Sequence, residues 1–268
     1  MKKEMTPNRK IPAKIILGAG VYIVSYLLSI AILQSFSGFF KYGNSFMGTV
    51  SSLVAAAASF FTITKDERGA LFYNPKTCLI NKKYILLPYI LFVILTAYSL
   101  TVVFNFLFSK IPWEIFGKKY IVQDNASFYG IPFYLRIIAY VFIGPLAEEI
   151  LFRGVIFYRL RKVTYLWAAA LISAIFFALF HGNLMQGLYA LVMGFVICIC
   201  MDYGGSFLYA LLFHMAANLV SNLCYEFEYI NNVVYSIPGI AICFAYLVVA
   251  IILCYVFKVK LTKKDKQC

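Results

Sequence analysis

The chain has 268 residues, of which 63% are hydrophobic and 13% charged, and its mean hydropathy is +0.83. Average soluble chains are about 45–50% apolar and about 25% charged, so this composition excludes a soluble domain and indicates a polytopic membrane protein. The net charge of +13 would suit nucleic acid, but the basic residues lie beside apolar stretches, where they meet anionic lipid headgroups. We therefore expect the lipid bilayer as a partner and no nucleic acid.

Eight apolar stretches of roughly membrane-spanning length follow one another along the chain. A helix needs about 20 largely apolar residues to cross the hydrocarbon core. The stretches are 15–33, 46–63, 84–108, 133–157, 163–181, 186–201, 205–223 and 237–257. The sixth is short and is also compatible with a tilted or re-entrant segment. The predicted fold class is all-α, a polytopic bundle of about eight transmembrane helices, with residues 1–268 as a single membrane domain.

The distribution of lysine and arginine predicts the orientation, because these residues concentrate in cytoplasmic loops. The chain has 24 of them, and two, Arg136 and Arg153, fall inside predicted spans. In an eight-span arrangement four lie on the side opposite the termini: Lys41, Lys110, Lys118 and Lys119. The remaining 18 lie on the side of the termini. The chain is therefore predicted to be a multi-pass protein of the cell membrane with both termini in the cytoplasm.

The fourth stretch carries an acidic pair, Glu148 and Glu149, soon after Gly144 and Pro145. Proline removes a backbone donor and loosens the helix just before the pair. Arg153 lies four residues after Glu149, so the two can form an ion pair on one helix face, whereas Glu148 points about 100° away. We expect Arg153 to neutralise Glu149 and Glu148 to face a cavity as a general base. The competing interpretation is an ion pair that only fixes helix packing.

The chain has two histidines, and both lie in or at the end of apolar stretches. His181 follows an apolar run and precedes Gly182, which stops the helix. His214 and Asn218 are four residues apart in the seventh stretch and therefore face the same way. Taken singly, His181 suits a helix cap or interface, and His214 with Asn218 suits an interhelical polar clamp. Because ionisable groups inside a membrane by default mark a functional site, three stretches that each carry such groups favour one shared hydrolytic centre.

Three motifs occur in order on the fourth, fifth and seventh stretches. Residues 148–153 (EEILFR) fit EExxxR, residues 177–181 (FALFH) fit FxxxH, and residues 214–218 (HMAAN) fit HxxxN. In this order they resemble the CPBP family, the CAAX proteases and bacteriocin-processing enzymes, also called the Abi family. The segment that carries the resemblance covers about 140–222. The resemblance implies that this segment is the catalytic core of an eight-helix intramembrane endopeptidase.

The resemblance also implies roles for individual residues. Its first glutamate and first histidine, Glu148 and His181, would activate a water molecule. Its second histidine and its asparagine, His214 and Asn218, would stabilise the oxyanion, a role that suits hydrogen-bond donors aimed at developing charge.

Glu149 and Arg153 would shape the site in the same family pattern. A metal ion is a further option, because a glutamate and two histidines can hold Zn²⁺ with one position open. The ligands would be Glu148, His181 and His214, and the family has been called a metalloprotease family on this basis. The HExxH signature of zinc proteases is absent from the sequence, and the Glu–His and His–Asn pairs require no cofactor. We favour the metal-free mechanism, with zinc as the alternative.

The predicted function is a peptide hydrolase. Its substrate would be a membrane-associated peptide or the precursor of a secreted peptide, either of CAAX type or similar to a bacteriocin or pheromone. The alternative is a non-catalytic immunity or partner-binding membrane protein of the same fold, against which the intact motifs argue. A proton-coupled transporter is disfavoured, because such folds usually contain internal repeats and paired broken helices and the sequence shows neither.

Overall fold

The structure is a computed structural model that describes residues 10–36, 43–72, 86–112 and 131–264. Every regular element within these ranges is a helix, which confirms the predicted all-α class. The ten helices of this described part are α1 (Lys10–Gln34), α2 (Gly43–Phe61), α3 (Lys65–Phe72), α4 (Leu86–Ser109), α5 (133–160), α6 (Leu166–Phe180), α7 (Leu184–Gly204), α8 (Phe207–Glu226), α9 (Glu228–Val234) and α10 (Ile237–Lys264).

Five of the described helices are long and apolar enough to cross a membrane, namely α1, α4, α7, α8 and α10. A sixth span results if α2 and α3, which are bent by 113° at the break between them, count as one. The sixth predicted stretch is not short, because α7 has 21 residues. The two other predicted stretches are helical as well, in α5 and in the 15-residue α6. A helical membrane bundle is thus confirmed, with five or six spans that meet this criterion against eight predicted.

The helices α1 and α10 lie at the outside of the bundle. Only 11% of the residues in the most apolar window of each helix are buried. Large apolar side chains such as Ile16, Leu17 and Ile251 are more than half exposed. Lipid tails are as apolar as these side chains, so such surfaces are expected to face the bilayer. By contrast, α5 packs against α1, α2, α6 and α8.

The hydrogen-bond register changes along α5. Its segments are α-helical Phe133–Arg136, π-helical Ile137–Ile143, α-helical Gly144–Glu149, π-helical Ile150–Phe157 and α-helical Tyr158–Leu160. π-helical turns are rare and frequently occur at functional sites. In the first π segment the N–H of Gly144 donates to the carbonyl of Ala139. The next carbonyl in that register, that of Tyr140, faces Pro145, which has no N–H to donate.

Small residues allow the neighbouring helices to approach α5 closely. In a membrane, helix association depends on close packing and interhelical hydrogen bonds. Ser173 of α6 adds such a bond, because its hydroxyl donates to the carbonyl of Phe152 over 2.9 Å. The completely buried alanines of α2, α5 and α6 are Ala55, Ala56, Ala147, Ala169, Ala170 and Ala174. The segment with the acidic pair is therefore held on a packed helix and not on a loop.

A cluster of charged side chains marks the end of the bundle where α1 begins and α5 ends. Glu67 of α3 pairs with Lys14, Arg159 and Lys162, with N–O distances of 3.4, 3.3 and 3.0 Å. Arg159 is fully buried and also donates to the backbone oxygen of Lys14. We call this the basic end. It comprises Lys14, Glu67, Arg159, Arg161, Lys162 and Asp202.

The opposite end, called here the Arg136 end, is marked by an ion pair between Arg136 of α5 and Glu226 of α8. Arg136 is 2% exposed, and its guanidinium lies 4.5 Å from the centre of the Tyr225 ring. Phe133 and Phe227 stack edge to face beside it, with ring centres 5.5 Å apart. These contacts bring the start of α5 next to the end of α8, so the two helices are antiparallel.

Candidate active site

A cavity of about 330 Å³ lies between α5, α6, α7 and α8. The structure brings to its wall the four side chains that sequence reasoning placed around a substrate: Glu148, His181, His214 and Asn218. Most of the other lining side chains are apolar or aromatic, among them Phe177, Phe180, Tyr189 and Met193. An apolar pocket with a few convergent polar groups is the usual form of a binding or active site.

The two neighbouring glutamates have different surroundings. Glu149 is fully buried, while the side chain of Glu148 is 23% exposed and lines the cavity. Oε2 of Glu148 lies 3.7 Å from Nε2 of His214. Consecutive residues of a helix point about 100° apart, and this separates the pair as the sequence predicted. Glu148 is therefore the carboxylate that a bound molecule can reach.

Glu149 connects Arg153 with His214. Nη1 of Arg153 lies 2.9 Å from Oε1 of Glu149, which confirms the predicted ion pair. The same oxygen lies 2.7 Å from Nδ1 of His214. The other carboxylate oxygen, Oε2, has no hydrogen-bond partner among the described residues. A buried carboxylate is stable only when it is paired, so Glu149 holds two other side chains in place and does not face the cavity.

Arg153 is enclosed by α6 and α7. Its Nη2 donates to the carbonyl of Gly194 over 3.1 Å, and its guanidinium lies 4.6 Å from the centre of the Phe177 ring. A Cβ added at Gly194 would lie 2.9 Å from Cδ1 of Phe177 and 3.0 Å from Nη2 of Arg153. The position therefore requires glycine for close approach, and the arginine links α5 to both neighbouring helices.

His181 is held in one tautomer by the backbone of its own helix. Its Nδ1 lies 2.8 Å from the carbonyl oxygen of Phe177. Because a carbonyl oxygen only accepts hydrogen bonds, Nδ1 carries the proton, and a neutral imidazole then keeps its lone pair on Nε2. The Phe177 ring stands edge-on to both histidines, with ring centres 4.8 Å from His181 and 5.7 Å from His214. Phe177 thus separates and orients the two imidazoles.

Asn218 is fixed by the irregular backbone of α5. Its Nδ2 donates to the carbonyl of Tyr140 over 2.7 Å. In the π-helical register that carbonyl faces Pro145, which has no N–H, and the Asn218 amide donates to it instead. One turn further along α8, Asn222 donates to the backbone oxygen of Asn218 over 2.9 Å. The proline before the acidic pair therefore positions a side chain of another helix.

Sequence reasoning did not find every residue near the acidic pair. Tyr22 of α1 is 1% exposed. Its hydroxyl lies within electrostatic range of Glu148, and its ring packs edge to face on Phe180, with centres 6.2 Å apart. Nothing in the sequence distinguishes Tyr22 from the other tyrosines, of which the chain has 21 in total.

The residue types proposed for zinc are present, but their arrangement does not fit a metal site. Glu148, His181 and His214 all line the cavity. Within the part of the chain that the structure describes, however, no three His, Cys, Asp or Glu side chains are grouped closely enough to hold a metal ion. A structural or catalytic zinc needs three or four such ligands at about 2.0–2.3 Å.

Residues 130–220 match a family model described as type II CAAX prenyl endopeptidase Rce1-like. No curated protein and no solved structure matches the chain. The matched segment is about a third of the chain and contains all three motifs. Over these residues the chain is similar to the Rce1-like type II CAAX prenyl endopeptidases, which confirms the resemblance to the CPBP family and supports a CAAX-type intramembrane endopeptidase in general.

Proposed function

We propose that the chain is an intramembrane endopeptidase that hydrolyses a peptide bond by water activation, without a cofactor. The observation that carries the proposal is the convergence of Glu148, His181, His214 and Asn218 on one cavity. Two of these groups accept protons and two can donate hydrogen bonds to an oxyanion. The substrate is a peptide, either associated with the membrane or the precursor of a secreted peptide.

Glu148 and His181 activate the water. The carboxylate of Glu148 and the Nε2 lone pair of His181 are the proton acceptors of the cavity wall, and Nδ1 of His181 is already engaged by the Phe177 carbonyl. As the water oxygen attacks the carbonyl carbon, its proton passes to one of these acceptors. General base catalysis of this kind contributes about 10²–10⁴-fold in rate.

His214 and Asn218 stabilise the negative charge that develops on the carbonyl oxygen. For this role the proposal requires His214 with a proton on both ring nitrogens. The Glu149 carboxylate accepts from its Nδ1–H, and its Nε2–H is then available to the oxyanion. Asn218 uses one amide N–H on the Tyr140 carbonyl and keeps the second for the same oxygen.

Collapse of the tetrahedral intermediate completes the reaction. The carbon–nitrogen bond breaks, and the proton taken from water is returned to the leaving amine by the acid form of Glu148 or His181. The products are a carboxylic acid and an amine. Every proton is thus accounted for by the chain's own side chains and the attacking water.

The test is cleavage of a library of membrane peptides by the detergent-purified protein, read by mass spectrometry. Wild type should cleave at least one peptide, and Glu148→Gln should cleave none. Glu228→Gln, the same substitution at an exposed site on α9, is the matched control and should retain full activity. A folded wild-type protein that cleaves no peptide would favour the partner-binding alternative. Metal content per chain, measured in the same samples, addresses the zinc alternative.

A further inference from the structure

The lining residues of the cavity extend from the acidic pair toward one end of the bundle. On α5 they run from Glu148 back toward the helix start, to Tyr140. On the antiparallel α8 they run from His214 forward to Asn218, toward the helix end. The Arg136–Glu226 ion pair joins the start of α5 to the end of α8. Both walls therefore lead to the Arg136 end.

The lining residues of α6 and α7 extend toward the same end of the bundle. On α7 the lining residues run from Ile197 back to Gln186, two residues after the helix begins. On α6 they include His181, immediately after the helix ends. The turn between α6 and α7 thus forms part of the mouth. α6 has 15 residues, which at 1.5 Å per residue is about 22 Å and shorter than a hydrocarbon core of about 30 Å.

Burial increases away from this mouth. Tyr140, His181, Gln186 and Asn218 are partly exposed. Deeper in the cavity, Met193 and Ile197 are 4% and 1% exposed. The buried Glu149–Arg153 pair lies at the same depth, since Arg153 donates to the carbonyl of Gly194. Farther along α5 lies the buried Arg159 of the basic end. The floor of the cavity therefore faces the basic end, and the mouth faces away from it.

The charge distribution assigns the two ends to the two sides of the membrane. The basic end carries Lys14, Arg159, Arg161 and Lys162, which belong to the 18 basic residues on the side of the termini. Basic residues mark the cytoplasmic side. The Arg136 end is then the non-cytoplasmic side.

We infer that the cavity admits its substrate from the non-cytoplasmic side, so that the substrate is a peptide segment exposed on, or left in, the outer leaflet after export. The inference rests on the proposed function, and it narrows the substrate class. A cytoplasmic C-terminal tail would meet the closed, basic end. The wall near the mouth is aromatic and uncharged, with Tyr140, Tyr189 and Gln186, so the segment held there is apolar or uncharged.

Thiol labelling in intact cells tests the direction of the mouth independently of any activity. Gln186→Cys places a thiol at the mouth, and Thr164→Cys places one in the turn at the basic end. A membrane-impermeant maleimide should label Gln186→Cys and not Thr164→Cys in intact cells, above the background of the wild-type chain. In inside-out vesicles the pattern should reverse. Any other pattern in intact cells, including labelling of both variants or of neither, overturns the inference.

A second experiment tests the substrate side. A peptide that the detergent-purified protein cleaves is synthesised with charged ends, so that it cannot cross a membrane, and is added to sealed vesicles. Cleavage is expected in right-side-out vesicles and should be lost in inside-out vesicles, and the opposite result overturns the inference while leaving the proposed function intact. If no peptide is cleaved in detergent, the proposed function fails, and the labelling experiment still decides the direction of the mouth.

Discussion

Oε1 of Glu149 lies 2.7 Å from Nδ1 of His214, and the two residues belong to different helices of the bundle. The same oxygen accepts from Arg153 over 2.9 Å. One buried carboxylate oxygen therefore joins the arginine of the first motif to the histidine of the third. We therefore expect the second glutamate of the pair to act as a positioning residue, and its loss should lower the stability and change the hydrogen bonding of His214.

The Glu149–Arg153 pair should show strong energetic coupling. Arg153→Met leaves a buried carboxylate without its main partner, and Glu149→Gln leaves a buried guanidinium without one. Each change should lower the free energy of unfolding by about 3–5 kcal/mol, as for other broken buried pairs. The double variant should lose clearly less than the sum, because neither charge is then left unpaired. Unfolding in detergent micelles measures all four proteins, and additive losses would contradict the coupling.

Much of this arrangement could be predicted from the sequence, because it depends on helix periodicity. The i,i+4 spacing of Glu149 and Arg153 predicted their ion pair, and the step between consecutive residues predicted that Glu148 would face a cavity. The contact between Glu149 and His214 could not be predicted, since it depends on how α8 packs on α5. The same holds for Tyr22, whose place beside the acidic pair depends on the docking of α1.

The backbone of α5 was predicted only in part. Pro145 indicated a loosened helix, but proline in a helix fits a kink, a break or a register change equally well. The two π-helical segments, and the use of the Tyr140 carbonyl by Asn218, follow from the packed structure. The eight-span count likewise depended on length and composition, which do not define the ends of a helix such as α6.

Asn218 should be essential for turnover and not for folding. Asn218→Ala removes one of the two donors that we propose for the oxyanion. Loss of such a donor lowers kcat by about 10²–10³-fold in other hydrolases, and KM should change little. Asn105→Ala is a matched control, because Asn105 donates one hydrogen bond to Tyr235 over 3.0 Å, away from the cavity. Steady-state kinetics with a peptide that the wild type cleaves measure both variants. An equal fall in activity for the two would argue against the oxyanion role.

Gly194 should not tolerate a side chain. In Gly194→Ala the new methyl group meets Phe177 and Arg153 at about 3 Å, so α7 must move away or the arginine must leave its position. Overpacking of this kind costs about 1–3 kcal/mol. Gly20→Ala on α1 is the control, because a Cβ there has nothing within 4 Å. Thermal unfolding should show a loss for Gly194→Ala alone, and equal melting temperatures for the two variants would show that the contact is loose.

The basic end should make stability depend on pH in the acid range. Burial raises the pKa of Glu67, but hydrogen bonds from Lys162 and the Thr64 N–H, and the charges of Lys162 and Arg159, outweigh it, so the pKa falls from 4.5 to about 2. A carboxyl group with a lowered folded-state pKa contributes stability above its unfolded value. That contribution is lost as the pH falls from about 4.5 toward 2.

The contribution of the Glu67 carboxylate to the free energy of unfolding should be about 1–3 kcal/mol, given about 1.4 kcal/mol per pKa unit and the partial exposure of the lysine partners. Unfolding of the detergent-solubilised protein between about pH 6 and about pH 3, from above the usual range of carboxyl pKa values to below it, should show the larger part of this loss. At the upper end of this pH range Glu67→Gln should be less stable than the wild type. On acidification it should lose less stability than the wild type does. Glu228→Gln should follow the wild type, because Glu228 is exposed. A Glu67→Gln variant with the same pH dependence as wild type would mean that the cluster contributes no net stability.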